Sequence, residues 1–315
     1  MSNVPPQFQP DLPPAPAPAP VDPATADPGG ADAAQLEPRH DVGRPGWPAW
    51  LSIAGFGAGF GGTLVLGVFV YVIAGAFGAS SEDPPPAVVI ALTVAQNLAF
   101  VVAAFVLAWL VAGRPAAADF GLVPTPLRRA LRLLVALWLA FFVLSASWAA
   151  AVSLDERQTL PDELGAYGTL LNALAVIVLV TVIAPLGEEL FFRGFFFGAR
   201  RNWRGPIVAA VLRGSLFGLF HAGSSPVGYL VPLAIFGFGL CMLYDLTGSL
   251  YPPIALHALN NSIALGVNLD YGAGIIVAMM VGSTIVTLLC ARLLALALGD
   301  RRPGPPASAP APEPT

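Results

Sequence analysis

Two adjacent carboxylates, Glu188 and Glu189, and one guanidinium, Arg193, stand in an otherwise apolar and aromatic run, with Leu190-Phe191-Phe192 before the arginine and Phe195-Phe196-Phe197 after it. An ionisable side chain inside a membrane span costs on the order of 2.5–3.5 kcal/mol. Counted back from Arg200, which marks the rim of the run, Glu188 lies about 18 Å inward along a helix. Glu189 and Arg193 are four residues apart, the spacing at which a carboxylate meets a guanidinium on one helical face. That internal ion pair is the plain structural explanation of the charges, and it accounts for only two of the three. Glu188 falls on another face, without a partner in its own helix. A carboxylate so placed is suited to general acid–base chemistry.

Two histidines supply the complementary groups. His221 closes an apolar stretch as Phe217-Gly218-Leu219-Phe220-His221, and His257 opens the run His257-Ala258-Leu259-Asn260-Asn261. Each ring alone reads most simply as a buried imidazole bonded to a backbone carbonyl. Glu188, His221, His257 and Asn261 nevertheless occupy three helices that can converge on one wet pocket. His257 and Asn261 share a helical face, and Pro252 and Pro253 fix where their helix begins. The third histidine, His40, sits in a Pro/Ala-rich tail and carries no chemistry.

The reaction that needs this set is hydrolysis of a peptide bond within the membrane. A carboxylate takes a proton from water, imidazoles orient that water, and an amide or imidazolium donor stabilises the tetrahedral oxyanion. Two histidines and a glutamate are also a recurrent ligand set for catalytic zinc with one position left for water. Glu188, His221 and His257 are thus a candidate Zn²⁺ site. The HExxH helix of ordinary zinc proteases is absent. On residues alone a metal centre and a metal-free Glu/His site are both open.

The elements that position these groups are membrane helices. Of 315 residues 56% are hydrophobic and only 11% charged, against roughly 25% charged in soluble domains. Such a chain cannot furnish a soluble surface, and its net charge of −4 gives nucleic acid nothing to bind. Eight apolar stretches, at 48–78, 87–112, 130–153, 169–199, 206–222, 228–246, 250–268 and 273–299, each come near the ~20 residues needed to span the hydrocarbon. The fourth carries Pro185 and is expected to be kinked or broken there.

The expected organisation is a disordered Pro/Ala-rich tail over 1–46, a membrane domain over 47–300 and a second disordered tail over 301–315. Every basic residue is Arg, and Ala, Gly and Pro are abundant, a pattern of GC-rich bacterial genomes. Arg39 and Arg44, the group Arg128, Arg129 and Arg132, the group Arg200, Arg201 and Arg204, and the pair Arg301 and Arg302 fall on one side of an eight-span topology. Glu82, Asp83, Asp155, Glu156, Asp162, Glu163 and Asp270 fall on the other, and only Arg157 dissents. A multi-pass protein of the plasma or inner membrane with both termini in the cytoplasm fits these charges. No signal-peptide layout opens the chain and no repeat is apparent. Cys241 and Cys290 read as buried free thiols, Arg213 as a structural residue that snorkels or pairs with an acid, and Asp245 as a solvated helix end.

The three motifs Glu188-Glu189-x-x-x-Arg193, Phe217-x-x-x-His221 and His257-x-x-x-Asn261, in that order on successive helices, resemble the signatures of the CPBP intramembrane proteases. That family joins the type II CAAX prenyl endopeptidases to bacteriocin-processing and immunity proteins, often called Abi. Phe192-Arg193-Gly194 and Thr247-Gly248-Ser249-Leu250 also read like the family, and the resemblance covers roughly residues 165–268. It implies an all-α intramembrane endopeptidase in which Glu188 activates water with His221 as its partner. His257 and Asn261 then bind a metal or stabilise the oxyanion, Glu189 and Arg193 support the site, and Phe217 packs beneath His221. The implied partners are membrane lipids and a membrane-associated peptide or protein substrate; a bacterial origin argues against prenylated CAAX proteins. The rival readings are a non-proteolytic membrane scaffold or immunity protein of the same fold, and a transporter. A transporter would show repeated halves with matching broken helices, and only the region of Pro185 offers a break.

Overall fold

A computed structural model of the chain describes residues 47–152, 160–197, 205–222 and 225–299. The two tails expected to be disordered, His40, the arginines at 39, 44, 157, 200, 201, 204, 301 and 302, and Asp155 and Glu156 lie outside the described residues.

Eight helices follow the eight apolar stretches: α1 (Trp50–Ala76), α2 (Pro86–Ala112), α3 (Leu127–Val152), α4 (Leu170–Phe197), α5 (Pro206–Phe220), α6 (Val227–Thr247), α7 (Tyr251–Asn268) and α8 (Ala273–Leu298). The protein is an all-α, multi-pass membrane protein. Among the described residues there is no strand, only an isolated bridge between Ala222 and Ser225. Six of the helices are long and apolar enough to cross a bilayer on their own. The two that are not, α5 and α7, lead to His221 and carry His257: α5 is apolar but only 15 residues long, whereas α7 holds the buried or half-buried polar residues His257, Asn260, Asn261 and Ser262. Apolar side chains such as Phe69 and Val72 on α1 and Leu289 and Leu293 on α8 lie on the outer surface, as lipid requires.

Helix α4 runs through the centre, in contact with α1, α2, α5, α6, α7 and α8. Its lower half buries an aromatic core in which Phe191, Phe192, Phe195, Phe196 and Phe197 pack with Phe100, Phe217 and Phe236. Around it α1 pairs with α2, α5 and α3 each pack along α6, and α7 pairs with α8. The α5–α6 pair is drawn together by Gly214 and Gly218, where a Cβ would run into the carbonyls of Ala234 and Leu230. Small residues four apart allow this backbone approach in lipid, and they lie either side of Phe217.

Helix α4 is not broken at Pro185. It winds from α-helix (Leu170–Val178) to π-helix (Leu179–Ile183), back to α-helix (Ala184–Glu189), and again to π-helix (Leu190–Phe197). A proline cannot donate an N–H and its ring crowds the preceding turn; the wider π turn ahead of Pro185 takes up both defects while the chain stays helical.

The Thr247-Gly248-Ser249-Leu250 turn closes α6 with Gly248 in the left-handed region (φ 67°). Ser249 Oγ donates to the Val123 carbonyl at 2.6 Å and the Leu250 N–H to the Gly121 carbonyl at 2.7 Å. This anchors the entry of α7, where Pro252 and Pro253 occupy the first turn.

Candidate active site

Glu189 and Arg193 form the ion pair that their spacing predicts, Arg193 Nη1 donating to Glu189 Oε1 at 2.7 Å with both side chains wholly buried. Arg193 also donates from Nη2 to the Gly237 carbonyl at 3.2 Å and lies 4.7 Å above the Phe217 ring. The same Oε1 of Glu189 stands 2.7 Å from His257 Nδ1. With Nδ1–H given to that carboxylate, His257 presents Nε2 to Glu188, whose Oε2 is 3.9 Å away. One imidazole thus touches both members of the acid pair, although the two acids point to different faces of α4.

Phe217 lies between the histidines, its ring centroid 4.8 Å from that of His221 and 5.7 Å from that of His257. His221 caps the C-terminus of α5, and its Nδ1 pairs with the Phe217 carbonyl at 2.8 Å. The ring is therefore held at Nδ1.

Asn261 is positioned by the irregular turn of α4. In the π stretch the Ala184 N–H donates to the Leu179 carbonyl, five residues back. Pro185 has no N–H to give Val180 in the same register, and the Val180 carbonyl instead accepts from Asn261 Nδ2 at 2.9 Å. The next carbonyl, Thr181, lies 3.4 Å from the Thr287 hydroxyl of α8, which donates more closely to the Ser283 carbonyl at 2.6 Å. Asn261 uses one amide hydrogen in this anchor and keeps a second.

Glu188 borders a cleft of about 10 Å³ with Gln96, Asn97, Phe100, Phe191, Phe192 and Phe220, the room of a single water. Its Oε2 is buried and has no hydrogen-bond partner among the described residues. Gln96 and Asn97, on α2, line this cleft and lie outside the motifs. Asn97 donates to the Thr93 carbonyl at 3.0 Å and fits against α4 only because Gly187 has no side chain. The one available signal was three polar residues, Thr93, Gln96 and Asn97, in an otherwise apolar helix.

Arg213 neither snorkels nor pairs with an acid among the described residues. It is buried, donates to the Phe192 carbonyl, and lies 4.6 Å above the Phe192 ring and 4.4 Å above the Phe196 ring. Cys241 is buried and Cys290 half-buried, both as free thiols. Asp245 is half-buried near the end of α6.

Both imidazoles are tethered at Nδ1, as the rings of zinc-binding histidines often are at the nitrogen that does not bind the metal. A zinc site needs three protein ligands gathered around one point. Among the described residues no three His, Cys, Asp or Glu side chains are gathered in that way. As the side chains stand, Glu188, His221 and His257 do not fit a zinc ion.

Residues 170–263 match the family model of the type II CAAX prenyl endopeptidases, described as Rce1-like. This bears out the resemblance carried by the three motifs, and all seven motif residues fall inside the match. The chain is 27% identical over 125 residues to "UPF0177 protein YxdF" of Lactococcus lactis subsp. lactis (strain IL1403), covering 38% of this chain and 68% of that protein. It is 26% identical over 95 residues to "Putative membrane peptidase YdiL" of Bacillus subtilis (strain 168), covering 30% of this chain and 38% of that protein. No solved structure matches the chain.

Proposed function

We propose that the protein is an intramembrane endopeptidase of the CAAX-protease type, hydrolysing a peptide bond of a membrane-associated substrate through water activated by Glu188. The Rce1-like match and the peptidase name of the Bacillus relative support the class. The observation that carries the chemistry is the Glu188 carboxylate at a one-water cleft, its buried Oε2 3.9 Å from His257 Nε2 and without a hydrogen bond among the described residues.

In this reading Glu188 accepts a proton from a water held in the cleft, with His221 Nε2 orienting that water. The oxygen attacks the scissile carbonyl. The oxyanion that forms takes hydrogen bonds from the second amide hydrogen of Asn261 and from His257 Nε2 when that ring is doubly protonated, a state in which Nδ1–H still goes to Glu189. Such donors are worth about 10²–10³ each in rate. Glu188 then returns the proton to the leaving amine as the C–N bond breaks. Arg193 neutralises Glu189, so the pair that supports His257 adds no net charge of its own to the interior. No step is assigned to a metal.

The arginine pattern of the sequence supports a plasma-membrane or inner-membrane location with cytoplasmic termini, facing the site toward substrates that reach the bilayer from that side. The test of function is purified protein in detergent micelles, incubated with a library of apolar peptides and read by mass spectrometry. New termini at defined bonds are expected. An intact library would favour the non-proteolytic scaffold.

A further inference from the structure

Gln96 sits about 15 Å into α2 from Pro86, on a helix that is otherwise nearly all apolar. Its side chain is half-buried, and no hydrogen bond joins its amide to any described residue. An amide in apolar surroundings gains from a polar partner, and two cavities meet at this one. On one side is the one-water cleft of Glu188. On the other is a groove of about 300 Å³, walled by Phe56, Phe60, Phe100, Leu216, Leu219 and Phe220, with Thr63 its other polar side chain. Thr63 already gives its hydroxyl hydrogen to the Gly59 carbonyl at 2.9 Å. Gln96, Phe100 and Phe220 line both spaces.

We propose that Gln96 is a substrate-binding residue, whose carboxamide pairs with a peptide unit of the substrate main chain flanking the scissile bond, while the groove holds an adjoining apolar side chain. A carboxamide offers one acceptor and two donors, the complement of a peptide C=O and N–H. In the bilayer interior an extended substrate has no water for those groups, and apart from Thr63 the other side chains lining the groove are hydrocarbon. Gln96 lies on α2, well before residues 170–263, so the family match does not extend to it.

This inference rests on the endopeptidase reading, and the experiment separates the two. Full-length wild type, Gln96→Leu and Gln96→Glu are compared in micelles on the best-cleaved peptide of the library, with KM, kcat and melting temperature measured for each. Gln96→Leu should raise KM about tenfold, leave kcat within about threefold and leave the melting temperature unmoved. Gln96→Glu, the same shape without the amide donors, should raise KM as well. A wild-type KM in Gln96→Leu overturns the inference while the protease reading stands. So does a fall in melting temperature with kcat and KM impaired together, the signature of a structural role. A wild type that cleaves no member of the library overturns both.

Discussion

His257 Nδ1 and Glu189 Oε1 stand 2.7 Å apart although 68 residues separate them in the chain. That contact joins the first and third motifs. It fixes which nitrogen of His257 is tethered and turns the other toward Glu188. The acid that looked like half of a local ion pair is therefore shared, with Arg193 and His257 meeting at one carboxylate oxygen.

The sharing predicts a strongly non-additive stability pattern. Arg193→Met leaves the Glu189 carboxylate buried without its cation, and removal of one partner of a buried pair costs about 3–5 kcal/mol. The double variant Glu189→Gln/Arg193→Met removes both charges and should be more stable than Arg193→Met alone. Thermal melting of the two proteins in the same micelles is the measurement; equal or lower stability of the double variant would show that the pair is not coupled.

Pro185 is predicted to act through Asn261. In Pro185→Ala the new backbone N–H competes for the Val180 carbonyl that Asn261 uses at 2.9 Å. The amide loses its anchor, and kcat should fall about tenfold or more with KM little changed, since an oxyanion donor acts mainly in the transition state. The same substitution in an Asn261→Ala background should have little further effect. A full additional loss there would mean that the proline acts by another route.

Metal removal is predicted to leave activity intact. The donor atoms of Glu188, His221 and His257 are not gathered around one point, and the proposed steps use protein groups and water alone. Prolonged dialysis against a chelator, followed by metal analysis and the cleavage assay, should give a protein without stoichiometric zinc that cleaves at the original rate. Loss of activity restored by added Zn²⁺ would contradict the proposed mechanism.

Much of the fold was legible because a membrane imposes a strong pattern: each of the eight apolar stretches became a helix, including the short α5 and the α7 that carries His257 and Asn261. The Glu189–Arg193 pair was legible because it is local, four residues on one helix. The tie from Glu189 to His257 was not, since a contact across 68 residues leaves no periodicity. Pro185 signalled a disturbance in α4, but a π turn absorbed it, and nothing in the sequence said that the spare carbonyl would serve Asn261. Gln96 and Asn97 lay outside every motif, and only the packing of α2 on Gly187 brought them to the cleft. Arg213 was expected to reach water or an acid, and aromatic faces with one carbonyl hold it instead.

The most direct test is the cleavage rate of Glu188→Gln, which keeps the shape of the side chain and removes its capacity to take a proton, beside a melting curve showing the fold unchanged. A positioned general base contributes about 10²–10⁴ in rate, so cleavage should fall at least a hundredfold at wild-type melting temperature. A folded Glu188→Gln protein that cleaves the same bond at the wild-type rate would contradict water activation by Glu188.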